Sequence, residues 1–229
     1  MQPTPGPARP ADAKPLTTDE LLEALHKKFG ENFSASKSGR HQADAAEAQA
    51  RKISEVAQEL FARTAPDSHQ SLLATYLDEV FADAICALFL ASCGLNVPAR
   101  MLLRRSLELG VVVVAYWDDP ASFYQWRDHD CDVRFSTLIA QLTREGYLTL
   151  LAKVNAGTRI DEKAVFGGLA ALYGDLSDVV HPKPHNFATG GKRNYSFESD
   201  EFSCTVALAE RVYRAVLGTL RARFPDLKA

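Results

Sequence analysis

Apolar residues recur near every 3.6 positions through each long segment of this chain, and that feature constrains the fold more than any other. Such spacing gathers them on one face of a helix and is incompatible with the two-residue alternation of a half-buried strand. The longest example is Leu72, Leu73, Tyr76, Leu77, Val80, Phe81, Ala84, Ile85, Leu88 and Phe89. It carries a wide apolar face to Gly94, a residue suited to ending a helix. This segment is expected to be the core helix of a bundle.

The remaining segments repeat the pattern. Thr17 stands three residues before Glu20, the spacing of a capping box, and Leu21, Leu22, Leu25 and Phe29 then keep helical spacing to Gly30. Residues 31–41, rich in Ser, Gly, Lys and Asn, read as a connector. Ala46, Ile53, Val56, Ala57, Leu60 and Phe61 make a long second helix that stops before Pro66. Asn96 is placed to cap a fourth helix, with Pro98 in its first turn, running to Trp117. Within it Val111 to Val114 favour a strand locally, but the surrounding period and the lack of a partner strand assign them to a buried helix. Asp119-Pro120 opens a fifth helix with apolar positions Phe123, Phe135, Leu138, Ile139 and Leu142, closed by Gly146. Tyr147 to Val154 gives one short helix, and Asp161 begins another that ends at His181. A polar loop from His181 to Asp200 leads to a last helix built on Val206, Ala209, Val212, Tyr213, Val216, Leu217 and Leu220.

The expected fold class is therefore all-α, a helical bundle of about seven to eight helices with a disordered N-terminal tail. Residues 1–16 contain five prolines and almost no large apolar side chain, so they form the tail. Residues 17–66 read as an N-terminal helical extension and 67–229 as the helical-bundle core. With 46% hydrophobic residues in a 229-residue chain, a sizeable core forms without staples.

Charge and cysteine usage narrow the setting. A net charge of −3 provides no global field for polyanions, so contact with nucleic acid would need a local basic patch. Cys86, Cys93, Cys131 and Cys204 have no C-x-x-C spacing and read as buried free thiols, in keeping with a cytoplasmic protein. The longest apolar run, Ala84 to Leu95, is too short to cross a bilayer, so no membrane contact is expected.

Chemistry concentrates in the stretch Tyr173 to His185. Tyr173, Ser177 and His181 are spaced i, i+4, i+8 and form a polar stripe beside the apolar stripe Leu169, Leu172, Leu176 and Val180. An imidazole at a helix C-terminus is suited to proton transfer, and it is equally suited to capping its own last carbonyls. The second concentration is Arg104-Arg105-x-x-Glu108, charges inside a helix otherwise made of Met, Leu and Val. If that helix is central they must pair, either with the polar stripe or with each other at the surface.

An LLRRSLE helix followed much later by Y-x-x-L-S-x-x-x-H-P resembles uncharacterised bacterial all-helical proteins, which are themselves distantly similar to the HEPN class of ribonuclease and nucleotide-binding domains found among toxins and phage-defence proteins. The resemblance covers roughly residues 70 to 220. It implies a helical fold and metal-independent action on RNA, in which a histidine and an arginine act on the ribose hydroxyl and the scissile phosphate. The family's Arg-x(4–6)-His spacing is absent before His181 and His185, and Arg63-x(5)-His69 is interrupted by Pro66. The site implied here is assembled across helices. His181, Arg105, Glu108, Ser177 and Tyr173 are its catalytic candidates, and Arg104, Lys183 and His185 its binding candidates.

No cofactor or metal is expected. Arg127-Asp-His-Asp-Cys-Asp132 gathers ligand types, but consecutive helical residues point in different directions, and Pro182 and Pro184 prevent a helical His181–His185 pair. The partners implied are an RNA substrate and a second copy of the chain, through the apolar faces of helices three and four. A non-catalytic interaction module, in which the same charges fix helix register, and a ligand-binding sensor remain as alternatives.

Overall fold

A computed structural model describes residues 17–129, 133–180 and 197–227, and every regular element among them is helical. In chain order these are α1 (Thr18–Ala35), two 3-10 turns (Ser36–Ser38 and Arg40–Ala43), α2 (Asp44–Arg63), α3 (His69–Ser92), α4 (Asn96–Tyr116), α5 (Pro120–Asp128), α6 (Phe135–Thr143), α7 (Glu145–Val154), α8 (Glu162–Val165), α9 (Leu169–Val180) and α10 (Ser199–Arg223). The protein is an all-α helical bundle.

Local chemistry sets many of the boundaries. Thr17 and Glu20 form a reciprocal capping box on α1. Ser68 and Asp119 accept the backbone N–H groups of Ser71 and Ser122 at 3.1 Å each, opening α3 and α5. At the end of α3, Gly94 adopts φ +80, and Leu95 N–H donates to the Leu90 carbonyl while Gly94 N–H donates to that of Ala91. This is a Schellman stop, open to glycine because it has no Cβ to clash in the left-handed region. It turns the chain back within three residues, so α3 and α4 form an antiparallel hairpin.

The hairpin makes two sides of a four-helix ring, and α2 and α10 make the others. Gln42 to Ser203 and Arg63 to Asp226 contacts run in step along α2 and α10, as do Asn96 to Thr205 and Asp118 to Arg223 contacts along α4 and α10. Those three helices are therefore parallel to one another and antiparallel to α3. Residues 17–66 were expected to form an extension, yet α2 is a full member of the ring, with Ala46, Ala50, Ile53, Val56, Ala57 and Leu60 buried. α4 is the axis of the molecule, with Leu103, Leu107 and Val111 wholly buried. Each such Leu or Val contributes roughly 1.5–3 kcal/mol by leaving water. The valine run Val111 to Val114 is helical and buried, as its flanking period required.

Several boundaries differ from expectation. α1 runs through Gly30 to Ala35, and the 31–41 connector is largely helical turn. Asn96 is the first residue of α4 rather than its cap, and its amide oxygen accepts from Thr205 at 3.0 Å. The expected fifth helix is two, α5 and α6, and Gly146 sits in the first turn of α7 instead of ending a helix. Asp161 does open a helix, but α8 is a single turn, and Phe166 to Gly168 separate it from α9. Cys93 is buried as expected, whereas Cys86 and Cys204 are exposed, because each lies just off the apolar face of its helix. The tail at residues 1–16 and Cys131 lie outside the described residues.

Candidate functional site

On the side of α4 away from α2, α6 and α9 pack against it and leave a cleft of about 480 Å³. Arg104, Arg105 and Glu108 line it from α4, Trp126 from α5, Arg134 and Phe135 from the start of α6, and Tyr173 from α9. Amphipathic phasing puts them there. On α9, Leu169, Leu172 and Leu176 are turned into the core, so Tyr173, one turn after Leu169, falls at the edge of the buried face.

The cleft is organised on Arg104. Its Nε donates to Glu108 Oε1 at 3.1 Å, one of its terminal nitrogens donates to the Tyr173 hydroxyl, and the guanidinium carbon lies 4.7 Å from the Tyr173 ring centroid. The Tyr173 ring also stacks on Phe135, with centroids 4.3 Å apart and planes 7° from parallel. Arginine, tyrosine and phenylalanine thus form one column that joins α4, α9 and α6.

Arg105 is one residue on, about 100° further round the helix, and it turns towards α3. There it donates to Asp83 Oδ1 at 2.6 Å and to Glu79 Oε2 at 3.2 Å while still forming part of the cleft wall. Asp83 is 5% exposed, and its second oxygen has no hydrogen-bond partner among the described residues. Burial raises its pKa above the ordinary carboxylate value, and the adjacent Arg105 charge opposes that shift only in part. Deeper still, the Ser106 and Tyr213 hydroxyls lie side by side without reaching hydrogen-bond geometry, and burial pushes the Tyr213 phenol well up.

The expected residues thus divide. Arg104, Glu108 and Tyr173 converge. Arg105 shares the cleft but is ion-paired away from them. Ser177, one turn beyond Tyr173, has a buried hydroxyl with no hydrogen-bond partner among the described residues. His181, Lys183 and His185 lie outside the described residues, as do residues 130–132 of the 127–132 segment. Arg63 and His69 are structural. Arg63 pairs with Glu59 and Asp226, and the His69 ring lies 2.9 Å from the Trp117 carbonyl at the end of α4.

Asp83, Trp126 and Arg134 were missed. A signal for Asp83 was present, since it sits between Val80 and Ala84 in the phase of the buried face, where a lone carboxylate needs a partner. Among the described residues, no three His, Cys, Asp or Glu side chains are grouped to hold a metal ion. No described helix is long and apolar enough to cross a membrane. Comparison with family models, with curated proteins and with solved structures finds no match to this chain.

Proposed function

We propose that the protein is a HEPN-like bacterial helical protein whose α4–α6–α9 cleft engages RNA, acting in the cytoplasm as a metal-independent ribonuclease in a toxin or phage-defence role. The observation that carries this reading is the Arg104–Tyr173–Phe135 column set in a cleft with two further arginines. Guanidinium groups suit phosphodiester oxygens, and the partly buried rings of Trp126 and Tyr173 in the cleft wall suit unstacked bases. Net charge gives no such preference, so the attraction is local to the three arginines.

In such a reaction the ribose 2′-oxygen attacks the adjacent phosphorus, its proton is removed, and the departing 5′-oxygen is protonated. Arg104 and Arg105 would stabilise the charge that builds on the phosphoryl oxygens. The proton transfers fall to His181 in the sequence reading. The test is cleavage of a fluorescent single-stranded RNA by the purified protein in the presence of EDTA. Arg104→Ala should weaken RNA binding by about tenfold or more, the scale of one charge-assisted hydrogen bond. Equal, negligible RNA affinity for the parent and the variant would end the reading.

A second reading has its own support. The Arg105 link to Asp83 and Glu79 is what a non-catalytic interaction module needs to fix the register of α3 against α4. In that case Arg105→Ala lowers thermal stability and changes no RNA property. Either form is proposed to self-associate. Ile85 and Phe89 near the end of α3, with Val97 and Met101 at the start of α4, are exposed at the tip of the hairpin. Light scattering of Phe89→Glu should show a smaller particle than the parent if a second copy covers this tip.

A further inference from the structure

Among the described residues, Arg105 is a cleft arginine held by carboxylates outside the cleft. Asp83 Oδ1 and Glu79 Oε2 accept from two of its nitrogens, and its side chain stays half exposed, free to meet an incoming anion. Asp83 is placed very differently, 5% exposed with one oxygen unpartnered among the described residues. Facing it are Glu79 from its own helix, Arg105 from α4 and Tyr213 from α10. Arg105 is the cation among these groups.

We propose that Asp83 is a proton acceptor coupled to the cleft: when a phosphodiester binds at Arg105, Asp83 takes up a proton, so ligand binding strengthens as pH falls. The coupling follows from charge alone. If the guanidinium swings to the phosphate, Asp83 is left as a buried carboxylate without its cation. If the guanidinium stays, a second negative charge arrives beside Asp83 and Glu79. Both routes disfavour the ionised form of Asp83. Burial already holds its pKa above the ordinary value, and the additional push acts in the same direction.

The sign is fixed by linkage. A ligand that raises the proton affinity of Asp83 must itself bind better to the protonated protein, by up to about tenfold for each pH unit across the window between the free and bound values. Arg105 then contributes little attraction at neutral pH, where two carboxylates offset it. Protonation of Asp83 leaves Glu79 as the one carboxylate of that pair still offsetting it, so more of its charge becomes available to the ligand on acidification. Asp83 acts through Arg105 and is a positioning residue.

This inference rests on the reading of the cleft as a phosphodiester site. The probe is a short oligomer of 2′-O-methyluridine, which has no cleavable 2′-hydroxyl and no group that titrates between about pH 5 and pH 7.5. Calorimetry in two buffers of different ionisation enthalpy counts the protons taken up with each binding event. Wild type should take up a fraction approaching one proton and bind at least about tenfold tighter at the acid end. Asp83→Asn should remove most of that uptake and flatten the Asp83 component of the pH profile, while any component from histidines remains. Asp226→Asn, which removes a carboxylate paired with Arg63 outside the cleft, should leave the uptake in place. Equal proton uptake in wild type and Asp83→Asn overturns the coupling and leaves the cleft reading standing, and so does tight binding with no uptake. Absence of oligomer binding at every pH overturns both.

Discussion

The Arg104 guanidinium donates to the Tyr173 hydroxyl across 69 positions of sequence and covers part of the same tyrosine's ring. One side chain of the central helix thereby fixes where α9 lies and shapes the cleft wall. Both residues are only partly buried, so the link is strong enough to order the site and open enough to be shared with a ligand.

Replacing Arg104 separates its two roles. Arg104→Ala should cost about 1–3 kcal/mol in urea melts through lost charge-assisted hydrogen bonds, together with the loss of RNA affinity described above. Arg104→Lys keeps the charge but cannot donate to Glu108 and Tyr173 in one plane, so it should recover little of either. Full recovery by lysine would show that position 104 acts as a point charge only.

At Tyr173 the hydroxyl and the ring can be tested apart. Tyr173→Phe keeps the stack on Phe135 and loses only the hydrogen bond, for an expected cost of about 0.5–1.5 kcal/mol. Tyr173→Ala also removes the ring and should cost about 3 kcal/mol or more, with the α9 amides exchanging faster in hydrogen-exchange mass spectrometry. Similar melting curves for the two variants would mean that the stack contributes nothing.

Asp83 gives stability a pH dependence of defined sign. Burial, the larger influence, raises its folded pKa above the ordinary 3.8, with Arg105 pulling the other way. The folded protein therefore binds this proton more tightly than the unfolded chain, and the contribution of Asp83 to stability falls as pH rises from the ordinary value through the folded one. Wild type minus Asp83→Asn stability, from denaturant melts at several pH values, should decline over that range and then level off. A difference that grows with pH would show that pairing with Arg105 outweighs burial.

At Gly110, α4 packs directly against Val216 of α10. A Cβ added there would stand 2.6 and 2.7 Å from the two methyl carbons of Val216, whose β-branched side chain has little freedom to move. Gly110→Ala gains about 1 kcal/mol in helix propensity but forces the helices apart, and a net loss of about 1–2 kcal/mol is expected in thermal melts. Gly110→Ala with Val216→Ala should recover stability relative to Val216→Ala alone, by filling the space the valine vacates.

Much of the framework could be read from local signals. The Thr17–Glu20 box, the Asp119-Pro120 start and the Gly94 stop each act through atoms a few residues apart, so sequence spacing is enough to find them. The break between α5 and α6 was missed although a signal was present: Phe123 and Phe135 stand twelve residues apart, about 120° out of helical phase, so one straight helix could not bury both on a narrow face. Cys86 and Cys204 were placed inside for another reason. A wide apolar stripe fixes the buried face only to within a residue or so, and a side chain at its margin can fall on either side.

The site divides along the same line. Sequence alone established that charged residues sit on an otherwise apolar central helix and that a tyrosine and a serine share one stripe of a later one, because periodicity is a property of each segment by itself. Which arginine meets the tyrosine was decided by tertiary structure. Arg104 and Arg105 are equivalent by spacing, and only the docking of α9 on one side of α4 and α3 on the other sends the first into the Tyr173 column and the second to Asp83. Only the packing of α3 against α4 and α10, in turn, withdraws Asp83 from water.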